Sequence, residues 1–253
     1  MENKYPKNYL DNVIVRIDFA SPLEDLRDNI PEELNQTILK SFPILEPKEI
    51  FEGGFEFKIS KEQQSVDNID KEKYQDWVYF GKNREKEVHI SVKFFSVSYH
   101  NYQSFEELRT DFLNISKTLF TRSPSLGIKR LGLRYINKIF IKERNPTVWD
   151  KYIDKKLLCI FGIIENKNLI SRAFQTLIFN EDDVRVTFQY GIFNSDFPAI
   201  IHKKEFILDF DAAHNELIEN FSELEKKLER CRKPIVRMFE NSITEALRRK
   251  MRE

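Results

Sequence analysis

The feature of this sequence that most constrains its fold is a pattern of strands and helices that occurs twice. When the first half is shifted by 116 positions, Phe105, Leu108, Phe112, Ile115 and Leu119 fall on Phe221, Leu224, Leu228, Cys231 and Ile235. The same shift places Ile90, Val92 and Phe94 on Phe206, Leu208 and Phe210, and a shift of 118 places Val13, Val15 and Arg16 on Leu131, Leu133 and Arg134. A strand and the following helix rarely coincide in one register by chance. The pattern therefore predicts an internal duplication, with two unrelated α+β halves as the alternative.

The first half is predicted to have the element order β-α-β-β-β-α. Residues 12–19 alternate apolar and polar side chains, which is typical of a half-buried strand. Pro31 begins a helix, and Ser104 with Glu107 forms a capping box at the start of another. Further strands are predicted at 49–60, with a bulge or turn at Gly53 and Gly54, at 76–80 and at 87–99, and a mobile loop at 61–73.

The second half is predicted to repeat this order. It has a strand at 128–141, a helix at 147–158, strands at 171–179, 184–193 and 205–211, and a helical region at 215–252. Pro234 lies inside the last region and is expected to kink it or split it in two.

These elements predict an α+β fold in which two tandem β-α-β-β-β-α repeats form one curved, mainly antiparallel sheet. The helices are expected on one face, with a long C-terminal helical region. Residues 1–126 are the first repeat, and residues 127–253 are the second repeat with its helical extension. We expect the two to form one compact unit. By analogy with duplicated folds, the other face or the groove between the halves is the expected binding place.

The amino-acid composition limits the classes of function that this chain can have. Lys+Arg and Asp+Glu both number 41, so the net charge is zero, which weakens a role on nucleic acid. Cys159 and Cys231 form no CxxC pair, which predicts free thiols in a reducing cytosol. No phosphate-binding glycine loop is visible, and we expect no cofactor. The polar N-terminus and the short apolar runs predict neither a signal peptide nor a membrane span, so we expect a cytoplasmic protein.

The segment 128–139 (IKRLGLRYINKI) resembles the signature of a sporadically distributed prokaryotic protein family of about this length and of unknown function. Residues 207–211 (ILDFD) resemble the family's Leu-Asp-x-Asp pattern, and residues 238–251 (MFENSITEALRRKM) resemble its ending. The resemblance implies no activity. The family's patchy distribution implies carriage in mobile or defence-type gene cassettes.

Arginines at equivalent positions of the repeat are candidates for ligand binding. Arg16 and Arg134 coincide under the shift of 118, and paired guanidinium groups match phosphate or carboxylate ligands. The alternative is that each arginine forms a structural ion pair, with Asp18 or Asp209 as its partner. The residues predicted to bind a ligand are Arg16, Arg134, Tyr135 and Asn137.

A second candidate site lies at the end of the last predicted strand. Asp209, Asp211 and His214 could bind a divalent cation and activate water, as a phosphodiesterase requires, with Glu216 or Glu219 as a further carboxylate. The alternative is a polar strand exit without a metal.

The C-terminal region is the third candidate. Its basic residues Arg237, Arg248, Arg249 and Lys250 could contact nucleic acid phosphates or a partner, and the alternative is a solvated helix face. Its apolar residues Met238, Phe239, Ile243, Leu247 and Met251 have no counterpart in the first half and predict a contact across a homodimer or with a protein partner. The leading interpretation is a non-catalytic recognition or interaction protein, the partner or sensor component of a mobile or defence-type gene cassette, without a membrane role. The alternatives are a metal-dependent nuclease or phosphodiesterase and a nucleic-acid-binding protein.

Overall fold

The computed structural model describes residues 5–52, 55–59, 64–68 and 72–253. The strands are β1 (Leu10–Phe19), β2 (Ile44–Glu52), β3 (Phe55–Ile59), β4 (Gln64–Asn68), β5 (Glu72–Phe80), β6 (Lys86–Ile90), β7 (Phe94–Tyr99), β8 (Ile128–Phe140), β9 (Ala173–Glu181), β10 (Val184–Ile192) and β11 (Glu205–His214). The α-helices are α1 (Glu32–Leu39), α2 (Phe105–Arg122), α3 (Phe221–Ser242) and α4 (Glu245–Arg252).

Nine of these strands form one antiparallel sheet in the order β2-β5-β6-β7-β1-β8-β11-β10-β9. The strands β3 and β4 pair with each other in a separate two-stranded sheet. The α+β class, the antiparallel sheet and the helical C-terminal region are confirmed. The sheet runs without a break across the boundary at residues 126 and 127, because β1 pairs with β8 at its centre.

The alternation in β1 explains where the core lies. Val13, Val15 and Ile17 are fully buried on the helix-covered face, while the side chains between them project to the opposite side. Helices reach this face from both halves. Phe112 of α2 stacks on Phe95 of β7 at 5.5 Å between ring centroids, and α3 packs on β8, β10 and β11. We call the opposite side, which carries Ile14, Arg16 and Asp18, the outer face.

The two long helices begin with side-chain caps of the same kind. The Ser104 hydroxyl accepts the Glu107 backbone N–H at 3.3 Å, as the capping box predicts. The Asn220 side chain accepts the Glu223 backbone N–H at 2.9 Å. Each cap satisfies a donor that the first helical turn leaves without an intrahelical partner.

The predicted single strand 87–99 is wrong. The chain forms β6 and β7 with a tight reversal between them, in which Ser91 N–H donates to the Phe94 carbonyl at 2.9 Å. Ile90 and Phe94 therefore lie on neighbouring strands, whereas Phe206, Leu208 and Phe210 follow one strand. The period-two pattern concealed the turn because Val92, inside it, is as apolar and buried as its neighbours in the pattern.

The predicted helix 147–158 is also wrong. This segment consists of turns and a short 3-10 helix, Lys155–Leu157. Trp149, Tyr152 and Ile153 are buried at helix-like spacing, which explains the prediction. The chain is instead held extended at Ile153, which forms a β-bridge with Ile243. A tertiary contact thus overrides the local pattern.

The limits of the strands around residues 44–73 differ from the prediction. The strand β2 begins at Ile44 rather than at residue 49, and β4 lies inside the segment predicted as a mobile loop. Backbone pairing with β3 makes β4 a strand despite its polar sequence. The predicted bulge at Gly53 and Gly54 lies outside the described residues.

The C-terminal region is shorter and differently divided than predicted. The helix α3 starts at Phe221 rather than at residue 215, because Ile218 forms a β-bridge with Ile128 and Asn220 caps the helix, and it includes Pro234. The division comes instead at residues 243–244, between α3 and α4. None of the helices in the described parts of the chain is both long and apolar enough to cross a lipid bilayer.

Most of the apolar side chains in the C-terminal extension pack within the chain itself. Ile243, Leu247 and Met251 are buried in the common core. The Met251 carbonyl also accepts the Lys7 backbone N–H at 3.1 Å. These three residues therefore offer no surface to a homodimer or partner. Met238 and Phe239 are half-buried against the core, and the predicted contact stays a prediction. Truncation after Arg232 would open the core.

Gly191 is the position where the sheet is least tolerant of a side chain. Its φ of +128° suits only glycine, and a Cβ there would lie 2.1 Å from the Ala173 carbonyl oxygen. We expect Gly191→Ala to lower the free energy of unfolding by about 3 kcal/mol. Gly162→Ala is the matched control, since a Cβ there meets nothing within 4 Å. Urea unfolding of both variants checks this, and equal stabilities would contradict it.

Candidate functional sites

The four predicted ligand-binding residues lie on two faces of the sheet. Arg16 and Arg134 project onto the outer face and are partly exposed. Tyr135 and Asn137 are buried on the helix-covered face. Alternation along β8 separates them, so they cannot contact one small ligand together.

On the outer face, both arginines form ion pairs. Arg16 bonds to Asp18 at 2.7 Å, and its guanidinium lies 3.9 Å from the centroid of the Phe94 ring. Arg134 makes two bonds to Asp209, at 2.9 and 2.6 Å. The hydrogen bonds to Asp209 raise the pKa of Arg134. The structural ion pairs that the sequence suggested as the alternative are therefore present.

Arg130 completes this network and was not among the predicted residues. Its guanidinium lies over Gly132, where a Cβ would be 2.6 Å from Nη1. It contacts Asp211 at 3.3 Å and Asp18 at 3.8 Å. Burial raises the pKa of the Asp211 carboxyl group. The sequence signal that could have identified Arg130 was its spacing of four residues from Arg134, which places both arginines on one face of a strand.

A depression of about 380 Å³ lies over these arginines, with Ser96 and Ser98 in its lining. Three aspartates accompany the three arginines, so the network carries little surplus charge for an anionic ligand.

The proposed metal residues do not converge. Asp209 and Asp211 lie on the outer face, bound to Arg134 and Arg130. His214 lies on the helix-covered face with no exposure, and its Nδ1 is 3.0 Å from the Asp183 carbonyl oxygen. The prediction ended the strand at residue 211, but β11 continues to His214, and a spacing of three reverses the face. No group of three or more His, Cys, Asp or Glu in the described residues is placed to hold a metal ion.

Asp183, in the turn between β9 and β10, ties this end of the sheet to α3. Its carboxylate accepts bonds from Lys227 at 2.5 Å and Arg230 at 2.9 Å. The hydrogen bond from Lys227, with that from Arg230, lowers the pKa of Asp183 to about 2. Local sequence patterns do not indicate Asp183, because its partners come from a distant helix.

The basic residues of the C-terminal region are only partly available. Arg237 pairs with Glu181, and Arg248 pairs with Glu240. Arg249 and Lys250 are exposed on α4. Half of the predicted nucleic-acid or partner residues are therefore engaged within the chain.

A cavity of about 480 Å³ lies between the N-terminal segment, the start of α2, β8 and the helices α3 and α4. We call it the tyrosine cavity, because the hydroxyl groups of Tyr102 and Tyr135 meet at 3.0 Å in its lining. Apolar walls come from Phe105, Phe239 and Met251. It contains both of the predicted residues that the outer face excludes, Tyr135 and Asn137.

Asn137 presents an acceptor at this cavity. Its Nδ2 donates to the Leu208 carbonyl at 3.2 Å, and its Oδ1 has no hydrogen-bond partner among the described residues. The residue as a whole is only 4% exposed. An amide oxygen that faces the cavity can accept a hydrogen bond from a ligand or water.

The tyrosine cavity also offers donors. One hydroxyl of the Tyr102–Tyr135 pair donates to the other, which leaves the second hydroxyl proton available. Burial raises the pKa of Tyr102 to about 12 and raises that of Tyr135 as well. Both side chains are therefore neutral near pH 7. The guanidinium of Arg232 lies 4.2 Å from the centroid of the Phe105 ring, at the rim.

Comparisons with known proteins give little further information. No family model and no curated protein matches the chain, so the family resemblance stays a prediction. Among solved structures, Methanococcus jannaschii TBP is similar over 93% of this chain and 99% of its own, at 13% identity and a TM-score of 0.24. At that TM-score the similarity supports no inference about this chain.

The ion pairs on the outer face differ in burial, so removing their arginines should lower the free energy of unfolding by different amounts. Arg134→Ala leaves Asp209, with a side chain only 8% exposed, without its bidentate partner. We expect a loss of about 2 kcal/mol in the free energy of unfolding. Arg16→Ala is the control and should cost about 1 kcal/mol or less, since Asp18 keeps Arg130 nearby. Urea titrations in which Arg16→Ala is the more damaging change would contradict this account.

The low pKa of Asp183 predicts a pH-dependent contribution to stability. Because folding lowers this pKa from 3.8 to about 2, the contribution is present above pH 3.8 and is lost as the pH falls through 2. At pH 7 we expect Asp183→Asn to be less stable by about 1–2 kcal/mol, with the difference shrinking towards pH 2. Asp182→Asn, at the exposed neighbouring position, serves as the control. A difference independent of pH would rule out the ionic origin.

Proposed function

We propose that this protein is a non-catalytic recognition protein that holds a small amphipathic ligand in the tyrosine cavity. The observation that carries the proposal is the combination of a half-open pocket, aromatic walls and a few polar groups that converge on it. A cavity of about 480 Å³ is within the usual range for small-molecule sites. The protonated hydroxyls of Tyr102 and Tyr135 suit hydrogen bonding to a ligand rather than proton abstraction.

The arrangement of donors and acceptors indicates the ligand's chemistry. The free hydroxyl proton of the tyrosine pair and Oδ1 of Asn137 favour a ligand with both an acceptor and a donor on one edge. Phe105 and Phe239 provide aromatic walls for a planar ring. At the rim, the guanidinium of Arg232 favours an anionic group, and the carboxylate of Glu106 lies in the same lining. We therefore expect a planar aromatic ligand with a carboxylate or similar group.

An internal duplication is part of the same proposal. The arrangement β1-β7-β6-β5 on one side of the central pair corresponds to β8-β11-β10-β9 on the other. A twofold axis between Val15 and Leu133, which face each other, would relate them and would place Arg16 on Arg134. The helices α2 and α3 follow β7 and β11 at equivalent places. The curvature expected for the sheet stays a prediction.

The C-terminal extension has a role under this proposal that the repeat alone does not require. Phe239, Glu240 and Met251 line the tyrosine cavity, opposite the start of α2. Glu240 is itself held by Tyr5 at 2.8 Å and Arg248 at 2.9 Å. The extension therefore supplies one wall of the cavity in place of the predicted partner surface. A ligand-binding sensor in a mobile or defence-type cassette is the biological role we propose.

The two alternatives have less support. For a metal-dependent nuclease, the proposed ligands are split between the two faces of β11. For a nucleic-acid-binding protein, Arg237 and Arg248 already have carboxylate partners.

A large side chain that fills the tyrosine cavity should weaken ligand binding. The probe is anilinonaphthalene sulfonate, an aromatic anion whose fluorescence rises in apolar sites. Val236→Phe places a ring in the cavity lining and should weaken binding at least about tenfold. Val148→Phe, the same change at an exposed position outside the cavity, should leave the affinity unchanged. Equal affinities of the wild type and Val236→Phe would overturn the proposal.

Tyr135→Phe tests the hydrogen bond without changing the shape of the cavity. We expect an aromatic carboxylate, 1-naphthoate, to bind about threefold to tenfold more weakly to this variant, because one hydroxyl of the pair is lost. Isothermal calorimetry measures the change, with circular dichroism to confirm that each variant is folded. Unchanged affinity for naphthoate would show that the tyrosine pair does not recognise the ligand.

A further inference from the structure

The two ends of the nine-stranded sheet are not equivalent. On one side, β5 is covered by an additional strand, β2. On the other side, β9 is the last strand, and the described residues contribute no strand beyond it. The second half therefore ends one strand earlier than the first, and one edge of β9 has unpaired backbone donors and acceptors over nine residues.

The side chains of β9 do not protect this edge. Natural edge strands usually carry lysine, proline or a bulge that prevents pairing with another chain. The sequence AFQTLIFNE has none of these residue types, and it pairs with β10 in unbroken register. Leu177 and Ile178 are each 50% exposed, on opposite faces of the sheet. The one charged residue, Glu181, is neutralised by Arg237.

We propose that β9 pairs with β9 of a second copy of this chain, antiparallel and centred on Leu177. A second copy is the occupant that matches the edge, because β9 is itself apolar and nearly uncharged. In this register Phe174 faces Asn180 of the other copy, and Leu177 faces itself. Arg172 and Asp182, each five positions from Leu177, then face each other across both ends of the pairing. The register thus places opposite charges next to each other at both ends of the pairing.

The residues around Arg172 add apolar area to this interface. The Arg172 guanidinium lies between the rings of Phe193 and Phe197, at 4.4 and 4.3 Å from their centroids. Both rings are exposed, as is Ile200 in the same loop. Exposed aromatic and arginine side chains are typical of interface centres. The pairing joins two nine-stranded sheets into one continuous sheet.

The test is sedimentation equilibrium of the full chain. We expect a dimer of the 30.3-kDa chain. Leu177→Lys places two like charges opposite each other at the twofold axis and should give a monomer. Leu45→Lys is the matched control, since Leu45 is exposed on β2 at the other edge, and it should stay dimeric. A monomeric wild type, or a Leu177→Lys variant that remains dimeric, would overturn the proposal.

Cross-linking tests the register itself. In a Cys159→Ser background, which removes the exposed native thiol, Leu177→Cys should form an intermolecular disulfide on mild oxidation. Ile200→Cys is the control, since residue 200 is exposed but lies outside β9 and so does not meet its own copy at the axis. Equal yields from both variants would contradict the register. Cross-linking at position 177 alone would support it.

Discussion

The structure depends on the antiparallel pairing of β1 with β8. Each strand belongs to one half of the chain, and their backbone pairing at Val15 and Leu133 makes one sheet from two sets of strands. Because the register places Val13, Val15 and Ile17 on the same face as Leu131, Leu133 and Tyr135, the helices of both halves cover a common core. A shift of one residue in this pairing would send the apolar side chains of one half to the outer face.

The same register determines the chemistry of the two faces. On the outer face it brings Arg130 of β8 next to Asp18 of β1, while Arg134 pairs with Asp209 of β11 and Arg16 pairs with Asp18 of its own strand. These ion pairs neutralise charges that would otherwise be costly to hold in a half-buried sheet. On the helix-covered face it places Tyr135 and Asn137 below the gap between α2 and α3. Residues adjacent in sequence thus belong to unrelated sites, a network of ion pairs on one face and the tyrosine cavity on the other.

The extension after Pro234 links the core to the tyrosine cavity. Ile243 and Leu247 anchor it in the core, and Phe239 and Met251 face the cavity. A segment without a counterpart in the first half therefore distinguishes the two ends of an otherwise similar arrangement. At the edges of the sheet it is the first half that has the additional element, because it contributes β2 and the second half has no equivalent strand in the described residues.

The sequence by itself determined the α+β class, most strand positions, the caps of α2 and the partition of residues between faces, because alternation and capping depend on neighbours a few positions apart. It also indicated Arg16, Arg134, Tyr135 and Asn137 as polar residues in apolar strands. Tertiary structure alone decided that Ser91 to Lys93 reverse the chain, that residues 147–158 are not helical, and that His214 lies on the face opposite Asp211. Each of these depends on a partner distant in sequence: β7 pairs with β1, Ile153 meets Ile243, and pairing with β8 extends β11 to His214. Local patterns cannot specify such contacts, because their free energy appears only once the distant segments are packed together.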